Sequence, residues 1–109
     1  MAGSDLYTGT LDVLILKALT SGAMHGYAIG FWIRRNSSDV LRVQEGVLYP
    51  ALHRLEKRDL LAASWGTTDT NRRAKFYRLT PRGRKYLRAE MARLTAHSEA
   101  VLNVLNALG

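Results

Sequence analysis

The C-terminal third of the chain is what most limits how this sequence can fold. Thr80-Pro81 starts a helix: threonine caps, and proline at the first helical position loses nothing, because its absent N–H would be unpaired there. From that start Leu87, Met91, Leu94, Ser98, Val101, Leu105 and Leu108 recur at alternating spacings of four and three, a heptad seam with one polar member, Ser98. The spacing predicts one helix reaching Leu108. The preceding 80 residues make a body too small to cover such a seam. The surplus needs a second surface, most simply the same helix of another copy. Leu87, Met91, Leu94, Val101, Leu105 and Leu108 are therefore the expected dimerisation residues.

The body before it reads as three short helices and a hairpin. Thr8-Gly9-Thr10 offers a cap for the first helix, with Asp12 in its first turn, where the helix dipole favours an anion. Leu11, Leu14, Ile15, Ala18 and Leu19 follow at helical spacing, Val13 and Leu16 widen the apolar surface, and Ser21-Gly22 ends it. The second helix runs from about His25 to Arg35 and carries Tyr27, Phe31 and Trp32. Gly30, inside it, weakens the helix and predicts a packing reason. The third spans roughly Glu45 to Arg58 with Leu48, Leu52 and Leu55 as its buried stripe; Pro50 means that it either begins near Leu48 or bends. The period then changes. Leu60 to Trp65 and Lys75 to Thr80 read as strands around the turn cluster Gly66 to Asn71. The fold class is thus α+β, mainly helical: a winged helix-turn-helix of three helices and a two-stranded wing, followed by one long C-terminal helix. Residues 1–80 are expected to form the winged helix-turn-helix part and 81–109 the dimerisation helix, packed within one domain.

Charge points to the partner. Sixteen Lys and Arg stand against nine Asp and Glu, a net charge of +7. Eight of those sixteen cations fall between Arg72 and Arg88, a stretch with no acid. A one-sign field of this kind favours a polyanion. It straddles a hairpin instead of forming one basic amphipathic helix, which argues for nucleic acid over a membrane surface. In a winged helix-turn-helix one helix enters the major groove and the hairpin meets backbone or minor groove. The third helix suits the reading role, with Tyr49, His53, Arg54 and Lys57 off its leucine stripe. Arg72, Arg73 and Lys75, placed directly after a turn, suit a phosphate-tracking wing.

Four segments, in order along nearly the whole chain, resemble the PadR-like transcriptional regulators: "GTLDVLILKAL", then His25-Gly26-Tyr27, then "GVLYPALHRLEKRDLL", then "NRRAKFYRLTPRGR". The single C-terminal helix is similar to the compact branch of that family. The resemblance implies a homodimeric regulator, usually a repressor, that leaves its operator when a small molecule or other signal arrives. It implies that Tyr49 and its neighbours on the third helix meet DNA, that Arg72, Arg73 and Lys75 serve the wing, and that the helix after Thr80-Pro81 dimerises. Gln44 and Glu45, at the leading edge of the third helix, join the DNA-binding candidates beside Tyr49, His53 and Arg54. Gln44 stands where many relatives have a small hydroxyl residue, and Asp59 where glycine is commoner. The last helix has no tryptophan, so an aromatic sandwich for a drug is not implied. Trp32 is the candidate wall of an effector pocket.

Other classes find no support in the residues. There is no cysteine, hence no disulfide scaffold, thiolate metal site or cysteine nucleophile. His25 and His97 have no metal partners at ligand spacing. No serine sits in a nucleophile elbow and no glycine loop suits phosphate, so an enzyme is not expected, and neither cofactor nor metal is. The longest apolar run, Val13 to Leu16, falls far short of the roughly twenty residues that span a bilayer, and Met1 to Asp5 carry no signal pattern. The expectation is a cytoplasmic, sequence-specific DNA-binding regulator on a near-palindromic operator in double-stranded DNA. The rival readings are a non-specific nucleic-acid-binding protein and a protein-interaction module that uses the long helix.

Overall fold

The computed structural model describes residues 3–109, with side chains from residue 9 onward. Met1 and Ala2, which belong to the N-terminal segment read for a signal pattern, lie outside the described residues. Helix α1 spans Gly3–Ala18 and passes into a 3-10 turn, Leu19–Ser21. Strand β1 is Met24–His25, helix α2 Gly26–Asn36 and helix α3 Glu45–Lys57. Strands β2 (Leu61–Thr67) and β3 (Arg73–Leu79) form the hairpin, and helix α4 is Pro81–Leu105. This is a mainly helical winged helix.

The core lies where α1 is enclosed by the other helices. Ile15, Leu16 and Leu19 of the first helix and its 3-10 turn meet Ile29 and Ile33 of α2, and the α3 stripe Leu48, Ala51, Leu52 and Leu55 is buried among them. Leu61, Tyr77 and Leu79 of the sheet and Leu87 of α4 close the cluster. Inward alternation on the hairpin puts Leu61, Ala63, Trp65 and Thr67 opposite Leu79, Tyr77, Lys75 and Arg73 on one face. The first two pairs lie on the core, and the last two run past it.

Several local expectations change. The Thr8–Thr10 cap lies inside α1, which starts at Gly3; the side chain of Thr8 is outside the described residues. Asp12 is consequently not in a first turn: it is buried and ion-paired to Arg54. Tyr27 and Phe31 face outward, and the close approach on α2 is at Gly26, since a Cβ on Gly30 would meet only ordinary contact with Leu48. Helix α3 starts at Glu45 and continues through Pro50. The bond that proline forgoes would have ended on the carbonyl of Gly46, in an exposed first turn where water can serve it. Strand β1, too short to show an alternating pattern, pairs antiparallel with β3 through Met24–Tyr77 and His25–Phe76 and makes the sheet three-stranded, ordered β1-β3-β2.

Helix α4 begins as its sequence dictates: the Thr80 hydroxyl accepts from the N–H of Gly83 at 2.9 Å. It ends at Leu105 with Asn106 as C-cap, so Leu108 lies beyond the helix and off its seam. Asparagine competes for backbone hydrogen bonds and suits helix ends better than interiors. Leu87 is taken up by the chain's own core and Leu94 packs against that core, whereas Met91, Val101 and Leu105 are exposed. The uncovered length of α4 gives the molecule its 57 × 29 × 25 Å shape.

Candidate nucleic-acid interface

At 100° per residue, Gly46, Pro50, His53 and Lys57 form one line along α3, opposite the buried leucines. Val47 and Arg54 flank that line on one side and Tyr49 on the other, and all seven are exposed. Gln44 occupies the N-cap position without a side-chain cap bond, and Glu45 follows in the first turn; both are exposed.

Tyr49 is seated by α2. A Cβ on Gly26 would come within 2.6 Å of the Tyr49 ring, so only glycine lets the phenol lie there. The preceding residue, His25, caps α2 by accepting from Ala28 N–H at 3.2 Å, and its ring meets Phe76 edge-on at 5.3 Å. The His-Gly pair thus ties α2, the wing and Tyr49 together, a structural role for His25.

Two basic candidates are tied to carboxylates. Arg54 Nη2 donates to Asp12 Oδ1 at 2.8 Å, joining α3 to α1. Burial pushes the Asp12 carboxyl above its usual value, with the Arg54 charge opposing that shift. Lys75 Nζ donates to Glu56 Oε1 at 2.9 Å, pinning β3 to α3, and lies 5.5 Å from the Tyr77 ring centre. That hydrogen bond holds the Lys75 ammonium above the usual lysine range. Each of these cations therefore spends part of its charge inside the fold.

Arg72 and Arg73 are exposed at the wing. The tip closes through the Thr68 N–H to the Arg72 carbonyl at 2.8 Å, with Asn71 in the left-handed conformation at φ 63. The Arg73 guanidinium lies 4.8 Å over the ring of Trp65, which is 61% exposed. Sequence reasoning missed this stacking. The register that supplies it, Thr67 opposite Arg73 and Trp65 opposite Lys75, makes Trp65 and Arg73 diagonal neighbours.

A cleft of about 770 Å³ opens between these elements, lined among others by Tyr27, Tyr49, Thr68, Arg72, Arg73 and Lys75. A smaller one, about 190 Å³, lies where α2 crosses α3, with Tyr27, Phe31, Arg34, Arg42 and Tyr49 on its walls. Arg34 and Arg42 both pair with Asp39, which holds that carboxyl below its usual range. Trp32, the expected wall of an effector pocket, packs half-buried against the core and lines neither cleft. Among the described residues no group of three His, Cys, Asp or Glu could hold a metal ion, and no helix is long and apolar enough to cross a membrane.

The model of a family described as "Transcriptional regulator PadR-like family" matches residues 15–89. A transcriptional regulator from Clostridium thermocellum is 31% identical and superposes with a TM-score of 0.80 over 94% of this chain and 99% of its own. A PadR family transcriptional regulator from Eggerthella lenta is 29% identical, with a TM-score of 0.75 over 95% and 88%. An uncharacterized protein of Lysinibacillus sphaericus is 29% identical over 104 residues, 95% of this chain and 94% of that one.

Proposed function

This chain belongs to the PadR-like family of transcriptional regulators, and from that premise we propose that it is a homodimeric, sequence-specific DNA-binding repressor released by an effector. The exposed face of α3 and its leading edge read the major groove. Gln44, Glu45, Tyr49 and His53 reach the DNA from α3, and Arg72 and Arg73 follow the backbone from the wing. Arg54 and Lys75 are positioning residues that also add positive charge at the edge. The observation that carries this reading is the common cleft. The Tyr49 flank of α3 and the basic limb of the wing line one opening of about 770 Å³. Residues 1–80 act as the DNA-binding part and 81–109 as the dimerisation helix of a single domain, working by binding, not catalysis, in the cytoplasm.

The pairing surface is the exposed run of α4. Met91, Val101 and Leu105 project from it, joined by Leu102 and Val104. A single chain gains nothing from so much uncovered apolar side chain, while two copies bury it together. Two-fold pairing would set two α3 helices about 34 Å apart, which calls for a near-palindromic operator. The effector, a small molecule or another signal, would act on that spacing.

Selection of bound genomic fragments with purified protein at about 150 and about 300 mM salt tests this. A palindromic site with half-sites about ten base pairs apart is expected. Enrichment without a motif that vanishes at the higher salt would instead indicate a non-specific nucleic-acid binder. No DNA retention, with α4 holding a different protein, would indicate an interaction module.

A further inference from the structure

The leading turns of α3 present few hydrogen-bonding side chains outward. Gly46, Val47 and Pro50 are all exposed, and Val47 is 46% exposed. A Cβ on Gly46 would meet nothing within 4 Å, so no packing demand inside the chain calls for a glycine there. Glycine weakens a helix, and a bare backbone at that exposed point leaves room for the close approach of an outside surface. Polar groups come at the N-cap, Gln44, to the side, at Glu45 and Tyr49, or a turn later, at His53 and Arg54.

In helix-turn-helix proteins the first turns of the reading helix meet the base edges. The major-groove edge carries donors, acceptors and one apolar group, the C5-methyl of thymine. We propose that Val47 and Pro50 read thymine methyls in each operator half-site, with Gly46 letting the helix sit close enough to reach them. This rests on the reading of α3 as the major-groove helix. A purine at those positions would set its N7 and exocyclic group against Val47 or Pro50 and leave them unpaired, while cytosine would offer no methyl, so selectivity comes from penalty as well as contact.

The operator recovered by fragment selection provides the test. Each thymine of a half-site is replaced in turn by deoxyuridine, which pairs alike but lacks the methyl. At one or two positions binding should weaken about fourfold per methyl. Val47→Ala or Pro50→Ala should abolish the discrimination at the matching position while circular dichroism stays that of the parent. Binding that is indifferent to every deoxyuridine, or a loss that persists undiminished in both variants, overturns the proposal and leaves the DNA-reading role intact. Selection that yields no shared motif overturns both, by a separate observation.

Discussion

Gly83→Ala separates local from tertiary logic most sharply. Gly83 is the third residue of α4, and by helix propensity alone alanine would stabilise that position by about 1 kcal/mol. In the fold, a Cβ there would lie 2.1 Å from the carbonyl oxygen of Leu60 and 3.3 Å from Leu79 Cδ2. The first is a backbone atom and has no rotamer to escape into. Helix α4 must therefore lift from the α3–β2 junction. That movement strains the Thr80 N–H to Leu60 O bond of 3.2 Å and the Thr80 hydroxyl to Asp59 O bond of 2.7 Å. Overpacking of this kind costs ~1–3 kcal/mol, and each broken hydrogen bond adds ~1 kcal/mol. After the propensity gain the net loss is about 2–4 kcal/mol, which lowers the melting temperature of a domain this size by roughly 10–20 °C. Urea and thermal unfolding followed by circular dichroism measure it. A Gly83→Ala protein as stable as the parent, or more stable, would refute the close approach.

Leu105→Asp should leave a single chain's stability within about 0.5 kcal/mol, since Leu105 is 72% exposed, but weaken dimerisation by at least about 100-fold, because each dimer loses two apolar side chains and gains two buried charges; a dimer persisting at micromolar concentration in sedimentation would contradict this. Arg72→Ala or Arg73→Ala should reduce the salt dependence of DNA binding by about 0.9 for each phosphate no longer neutralised, whereas Trp65→Ala should cost a few-fold in affinity with the slope unchanged, since the Arg73 charge remains and only its stacking is gone; equal slope changes in all three would exclude Trp65 as a positioning residue. Burial raises the Asp12 carboxyl, so the native state holds that proton more tightly than the unfolded chain, and this group's contribution to stability falls as pH rises above about 4. Asp12→Asn should remove this decline above about pH 4 and stay within about 1 kcal/mol of the parent at neutral pH, because Arg54 is half-exposed and can turn to water; a neutral-pH loss beyond about 3 kcal/mol in denaturant titration would mean that the ion pair is a net stabiliser.

Much of the architecture is legible in the residues. Thr80-Pro81 announces α4, the Leu48–Leu52–Leu55 stripe announces α3, and the Gly66–Asn71 cluster announces the hairpin turn, each because a cap, a period or a turn acts between residues a few positions apart. Asp59 stands in place of the commoner glycine, and it does adopt the left-handed conformation, φ 61. The candidate DNA-facing residues are legible as types and spacings, but not their partners. Arg54 and Lys75 read as free cations, and each is held by a carboxylate from another element.

The residues alone therefore determined the order of the four helices and the two hairpin strands, the basic limb of the wing and the apolar run of α4, since all of these rest on near neighbours in the chain. Only the tertiary structure decided that Arg54 would meet Asp12, 42 positions away, and that Met24 and His25 would join β3 as a third strand. It also decided that Gly26 would give way to the Tyr49 ring, that Gly83 would lie against Leu60, and that Leu87 would belong to the core and Leu105 to the surface. These outcomes depend on which surfaces close against each other and at what distance, and a linear pattern carries the periodicity of each element but not the geometry of their packing.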